Sequence, residues 1–586
     1  MLRVMKTVNR NFSIIAFFTI AAVSVLTYLP SFESAFHLDD IESIVNSNIK
    51  ASSPYEIIKR YPTRWLVFLS FHANAKFHDY RVLGYHAVNI SIHILCSFLF
   101  YSFVRLLWHP LRRIYSSAFK NFSPRLTPLF AGLLFAVHPL QSQAVIYISQ
   151  RLALFAAMFS LLALVSVARG YLHGRSKALG WAGASASIIL GFFCKETIVV
   201  APLIIAAFLL IFYPPDFRKW TWKRWVAVSA VFILLVLAPL VLFLHLSKWD
   251  TKTFFQNLES IGGRIDIHTP GMTRYTYAIT QFYVIIKYII LFIWPKGLNI
   301  DHSVPLCGSF FSIKVLCSFS VFVLFILLSW LKRKTMPLML LGVIMFLFGI
   351  LPQSSIMPTP DLMFEHRTYL GNAGLILIFI SVFSFLNKKI FLRVLAVLLI
   401  LILSIVTFER SKVWKTETSL WADAYEKAPG KLRVINNYAN ALINTGKLEP
   451  AAIILDKTIK NEEYVFPSFF GLLGNIYVRV GEYDKAVEVY QKGLKKNWSN
   501  LYLRYNLALI LQMLGKNKLA EYHFRLALRF HPYDPDSRLM LGILYADQLK
   551  DYSKATNQFE LYLEYFPDNE NSGYVRNRLI EMTNTY

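Results

Sequence analysis

The chain has 586 residues, of which 55% are hydrophobic and 16% charged, whereas roughly a quarter of a soluble domain is charged. That balance excludes a wholly soluble protein and indicates an integral membrane protein. Lys and Arg number 61 against 35 Asp and Glu, a net charge of +26. The excess sits in short clusters between apolar stretches, as cytoplasmic loops do under the positive-inside rule, and this argues against nucleic acid as a partner.

The N-terminus reads MLRVMKTVNRN and runs into an apolar stretch from about Phe12 to Leu29 with no small-residue cleavage site after it. This predicts a retained first helix with its basic end in the cytoplasm. Further spans are predicted over 84–107, 126–140, 142–168, 178–194, 197–213, 225–246, 313–331, 336–352, 369–386 and 390–408. The clusters RLLWHPLRR, RGYLHGRSK, DFRKWTWKR, LKRK and NKKIFLR fall on the cytoplasmic side of this layout. The segment 275–295 is also long enough to cross, but a crossing there would put LKRK on the wrong side, and Lys287 at mid-bilayer would cost several kcal/mol. It is therefore predicted as an interfacial or re-entrant helix, which leaves about eleven crossings. Cys96, Cys194, Cys307 and Cys317 form no CxxC pair, so neither a disulfide framework nor a zinc site is implied.

Near Glu409 the composition turns soluble and begins to repeat. Ala451, Ala486, Ala520 and Ala555 are spaced 35, 34 and 35 residues apart, with Gly474, Tyr477, Gly481 and Tyr490 recurring in phase as Ala508, Leu511, Gly515 and Phe524. That is the tetratricopeptide period, with about four repeats. The organisation predicted is all-α: a membrane domain over 1–409 and a C-terminal helical solenoid over 410–586 whose concave groove would take a peptide. Packing of the array against the membrane domain is the alternative use.

The candidate chemistry lies on the non-cytoplasmic side. Asp39 and Asp40 stand just beyond the first helix, in an outer loop over 31–83 whose segments SPYEIIKRY and RWLVFLSF are predicted as short helices. The acids could serve as a proton acceptor or merely cap a helix over IESIV. In GYHAVNISIHILCSF, residues His86, Asn89, His93 and Ser97 share one helical face, which suits either a substrate site or hydrogen bonding between helices. His138, Gln143, Arg151, Lys195, Glu196, Glu365, His366 and Arg367 cluster at outer membrane edges, where ionisable groups are costly and so are functional candidates.

These motifs carry a resemblance. LDD after the first helix, RWLVFLSFHANAKFHDYRVLGYHAVNISIHI, FAVHPLQSQAVIYISQRLALFAAMFSLLAL, CKE, EHRTYLGN and the repeats after RSKVWKTETSLWADAYEKAP resemble the TMTC-type transmembrane and tetratricopeptide-repeat glycosyltransferases. More loosely, they resemble the GT-C class that includes protein O-mannosyltransferases and aminoarabinose transferases. The short array is similar to that of a bacterial member. The resemblance implies a GT-C helix bundle that transfers a sugar, with inversion, from a polyprenyl phosphate to Ser or Thr of an exported protein. The site would lie on the periplasmic face of a bacterial inner membrane, or the lumenal face of the endoplasmic reticulum in a eukaryote. Asp39 or Asp40 would be the base, and Arg151, Lys195, Glu196, His138, His86, Asn89, Glu365, His366 and Arg367 would bind donor phosphate or substrate. No metal site is assigned, since two adjacent acids alone make a weak one, although a divalent metal remains an option. The alternatives are a GT-C enzyme acting on a glycan or lipid or moving an oligosaccharide, and a non-catalytic membrane anchor for a repeat scaffold.

Overall fold

A computed structural model describes residues 2–114, 123–172, 176–214, 221–222, 272–354, 358–359, 361–383, 389–461 and 465–585. The predicted span 225–246 lies outside the described residues. The chain divides into two compact units, Met1–Lys427 and Ala428–Tyr586.

In the first unit, α1 (Leu2–Thr27) leads into the segment 31–83, which carries α2 (Pro54–Arg60) and α3 (Trp65–His78). Both loop helices were expected from SPYEIIKRY and RWLVFLSF. Ser53 and Glu56 start α2 with a reciprocal capping box, which satisfies two amides left over at the helix N-terminus. There follow α4 (Val82–Ile114), α5 (Leu126–Val137), α6 (Ser142–Ile146), α7 (Arg151–Leu172), α8 (Lys177–Phe192) and α9 (Ala201–Phe212). The unit continues with α10 (Arg274–Ile293), α11 (Ile313–Leu331), α12 (Pro337–Ile350), α13 (Gly371–Phe383), α14 (Lys389–Val413) and α15 (Glu417–Lys427).

Among the described residues five helices are long and apolar enough to cross a membrane, or up to six if α5 and the segment Pro139–Ile146, bent by 52°, form one span. Asn11–Thr27, Glu196–Phe212, Pro337–Ile350 and Gly371–Phe383 are shorter apolar helices at four further predicted spans. The segment 275–295, expected in the interface, is the continuous 20-residue helix α10, which is itself long and apolar enough to span. Helices α12 and α13 approach closely: a methyl group on Gly342 would stand 2.5 Å from the Gly374 carbonyl oxygen. Such contact suits helices associating in lipid, where close packing replaces the hydrophobic drive.

α15 follows the composition break near Glu409 yet packs within the first unit. Arg410 pairs with Asp423 at 2.6 Å, and Lys427 Nζ donates to the Leu298 carbonyl at 2.8 Å.

The second unit is four helix pairs and a last helix: α16 (Leu432–Asn444) with α17 (Leu448–Asn461), α18 (Pro467–Arg479) with α19 (Tyr483–Lys496), α20 (Leu501–Met513) with α21 (Asn517–Phe530), α22 (Pro535–Ile543) with α23 (Tyr552–Tyr565), then α24 (Ser572–Thr585). Ala451, Ala486, Ala520 and Ala555 are all fully buried, each at the contact where two antiparallel helices meet. Gly446, Gly481 and Gly515 turn the first three pairs with φ of 76°, 80° and 72°. Lys550 takes the same left-handed conformation in the fourth, at φ 55°, where a Cβ makes it less comfortable.

Candidate active site

The two acids have different surroundings. Asp40 is fully buried. Its Oδ1 accepts from the Ser149 amide at 2.6 Å and its Oδ2 from the His37 amide at 3.1 Å. It makes no side-chain capping bond to the Ile41–Val45 turn that follows, so it fastens two segments 109 residues apart instead of starting a helix. Burial raises its pKa to about 7, opposed by the two amides. A folded pKa above the unfolded one means that its stabilising contribution is greatest in acid and is lost as pH rises through about 7. Asp39, next to it, is exposed, and its amide donates to the Tyr147 hydroxyl at 3.0 Å. Of the pair, Asp39 alone has an exposed side chain.

The segment from His138 to Arg151 forms the framework of the site. Tyr147 and Ser149 hold the acid loop, while the Gln143 carboxamide accepts from the His366 amide at 2.9 Å and donates to the Ile300 carbonyl at 3.1 Å. His138 is consumed internally: Nε2 donates to the Phe292 carbonyl at 2.9 Å and Nδ1 accepts from the Leu140 amide at 3.2 Å.

Arg151 is fully buried. It donates to Asn89 Oδ1 at 2.7 Å, Asn74 Oδ1 at 2.7 Å, Ser70 Oγ at 3.1 Å and the Tyr85 carbonyl at 3.0 Å, and its guanidinium lies 4.5 Å over the Phe71 ring. This commits the group to joining α3, α4 and α7, with little left for a phosphate. The polar stripe of α4 likewise faces protein. His86 donates to the Ser34 carbonyl at 3.0 Å, and Asn89 donates to the Val145 carbonyl at 3.2 Å. His93 bonds Tyr369 and the Ala136 carbonyl. His86, Asn89, His93, His138 and Arg151 thus all bond other segments of the first unit, whereas Ser97 Oγ donates to the His93 carbonyl of its own helix at 2.8 Å.

We expect Arg151→Met to lower stability by about 3 kcal/mol or more, because three buried acceptors lose their donor. Thermal unfolding of the purified protein checks this. A phosphate-binding Arg151 would instead leave the melting temperature unchanged and abolish donor binding.

Arg367 keeps a spare donor. Arg367 Nη2 donates to Thr359 Oγ1 at 3.1 Å, but its Nη1 is buried and meets no hydrogen-bond partner among the described residues, and the same holds for His366 Nδ1. Burial lowers the Lys195 pKa to about 8, with Glu196 opposing and Arg64 and Arg367 reinforcing the shift. Burial, then the charges of Lys195 and Arg367, hold His366 well below the usual imidazole range. Lys195, His366 and Arg367 therefore share one electropositive neighbourhood, in which Glu196 is engaged by Arg64 at 3.3 Å. A buried donor without an acceptor is costly, and Arg367 Nη1 is one among the described residues.

Glu365 faces the other way. Fully buried, its Oε1 accepts from the Asn299 amide at 2.6 Å and from His302 Nε2 at 2.8 Å, anchoring the loop after α10. That loop, with Asn299 and His302, was not singled out from sequence, nor were Arg64, Tyr147 and Trp414. Arg64 does stand at the head of RWLVFLSF, and NIDHS joins an acid to a histidine just past an apolar helix. Among the described residues no group of three His, Cys, Asp or Glu side chains converges as a metal-ligand set.

The chain is thus an apolar helical unit with an exposed acid just beyond its first helix, followed by a repeat array. The TPR repeat family matches residues 474–515. The chain is 25% identical over 457 residues to the protein O-mannosyl-transferase F38B6.6 of Caenorhabditis elegans, covering 73% of this chain and 60% of that one. It is 22% identical to human protein O-mannosyl-transferase TMTC3, over 80% of this chain and 54% of that one. With Drosophila melanogaster Tmtc3 it shares 24% identity, over 76% of this chain and 55% of that one. The chain thus spans between about half and three-fifths of the length of these relatives.

Proposed function

We propose that the chain moves a single sugar from a polyprenyl phosphate to Ser or Thr hydroxyls of an exported protein on the non-cytoplasmic face of a membrane. Asp39 accepts the proton of the acceptor hydroxyl as its oxygen attacks the anomeric carbon from the face opposite the phosphate. The bond from anomeric carbon to phosphate oxygen breaks, the configuration inverts, and the electron pair leaves with the lipid phosphate. Lys195, His366 and Arg367 donate to that phosphate as its charge grows. The observation that carries this reading is the asymmetry of the acid pair, with Asp40 locked by two amides and Asp39 left free for substrate. The relatives, named as protein O-mannosyl-transferases, favour mannose and a protein acceptor. Mass spectrometry of exported proteins from cells with and without the gene tests it: hexose on Ser or Thr should vanish with the gene. Loss confined to a glycan or lipid would move the activity to another acceptor, and no change would leave a scaffold.

The array is assigned to acceptor recognition, the usual task of such grooves. A chain ending after Lys427 keeps α15 and its Arg410–Asp423 and Lys427–Leu298 contacts. It should bind donor normally, while KM for the native acceptor rises at least about tenfold, or ~1.4 kcal/mol. An unchanged KM would remove this role from the array.

A further inference from the structure

The acid loop is fastened to the stem that follows α14, residues 414–415. The Ala35 amide donates to the Lys415 carbonyl at 3.2 Å, and Lys415 pairs with Glu33 at 2.7 Å. His37 makes two ties. Its amide donates to Asp40 Oδ2, and its Nε2 donates to the Trp414 carbonyl at 2.7 Å. The His37 and Trp414 rings meet edge to face at 5.8 Å, and Tyr147, which holds the Asp39 amide, lies 6.1 Å from the same indole. His37 and Trp414 are both buried. Burial lowers the His37 pKa to about 4, so the ring is neutral near pH 7. The carbonyl at Nε2 fixes the tautomer, because a carbonyl only accepts. His37 Nδ1 meets no partner among the described residues.

We propose that His37 is a positioning residue for the transfer reaction, using its Nε2–H to lock the acid loop onto the Trp414 stem so that Asp39 is held for proton abstraction. This rests on Asp39 being the base. Residues 34–37, between the short helices Leu29–Glu33 and Ile41–Val45, have no regular structure, and Leu38 takes a left-handed φ of 47°, so the path of this link depends on these outside ties. A displacement of about 1 Å in a reacting group can cost 10²-fold in rate. The stem residues thereby belong to the catalytic centre, although they stand at the edge of the membrane unit and carry no chemistry themselves.

The two ring nitrogens give a clean test in the full-length protein, with polyprenyl-phosphate mannose as donor and a Ser/Thr-rich peptide as acceptor. Glutamine places an amide near the Nε2 position, whereas asparagine reaches only to that of Nδ1. We expect His37→Gln to keep kcat within about threefold and His37→Asn to lose about 10- to 100-fold in kcat with donor KM unchanged. Carbodiimide labelling read by mass spectrometry supplies a measure independent of turnover. Asp39 but not Asp40 should be modified in the native protein and in His37→Gln, and Asp40 should become reactive in His37→Asn. Equal kcat and equal labelling in the two variants would overturn the positioning role, as would equal loss in both. Absence of transfer by the native protein would instead count against the proposed reaction, while the labelling contrast would still decide the role of His37.

Discussion

Asp39→Asn should reduce sugar transfer at least about 100-fold while leaving donor affinity and the melting temperature unchanged. The reason is chemical: the amide keeps the size of the side chain but has no basic oxygen, and a positioned general base contributes about 10² to 10⁴ in rate. Asp39 is exposed and its side chain is not among the ties that build the loop, which run through its backbone amide to Tyr147. Asp40→Asn should behave differently. An asparagine offers one acceptor oxygen where Asp40 uses two, for Ser149 and His37. One amide is then left unpaired in a buried site, at about 1 to 3 kcal/mol. The measurable contrast is kcat without Tm for Asp39 and Tm with a secondary loss of activity for Asp40. Reversed behaviour would exchange the two roles.

The second large effect belongs to the cations. Lys195→Met combined with Arg367→Met removes two charges from the neighbourhood that also holds the unpartnered His366 nitrogen. The lipid phosphate gains charge as the glycosidic bond breaks, so these donors act most strongly in the transition state. Removing a single donor of this kind typically costs 10² to 10³ in kcat. The double variant should lose at least about 100-fold in kcat/KM for the donor, and part of the loss should appear as weaker binding in titrations with polyprenyl phosphate. Stability should hold or rise, since two buried charges disappear. Normal donor kinetics in this variant would mean that the phosphate sits elsewhere.

The repeat array was legible in the sequence because its signal is local and periodic. The alanines at the 34- to 35-residue spacing all end fully buried, and among the four turns within pairs only Lys550 takes the left-handed position without a glycine. The acid loop was legible as a place but not as a mechanism. Nothing in the residue types around LDD distinguishes its two acids; the distinction is made by the His37 amide together with Ser149 and Tyr147, the latter two more than a hundred residues away. Arg151 shows the general difficulty. A buried guanidinium beside a membrane reads equally as an anion site or as a rivet, and the answer depends on whether Asn74, Asn89 and Tyr85 consume its donors. For α10, charge parity and the cost of Lys287 speak only to energy in lipid, and they carry no signal for the fold around it or for the loop bearing Asn299 and His302.

The most direct measurement is transfer by the purified full-length protein in lipid nanodiscs, using radiolabelled polyprenyl-phosphate mannose and an acceptor from the exported proteins that lose hexose when the gene is removed. Label is expected on Ser or Thr, released by alkaline β-elimination, linked with configuration inverted relative to the donor, and lost in Asp39→Asn. Label that stays on a lipid or glycan, or transfer to protein that persists at the native rate in Asp39→Asn, would contradict it.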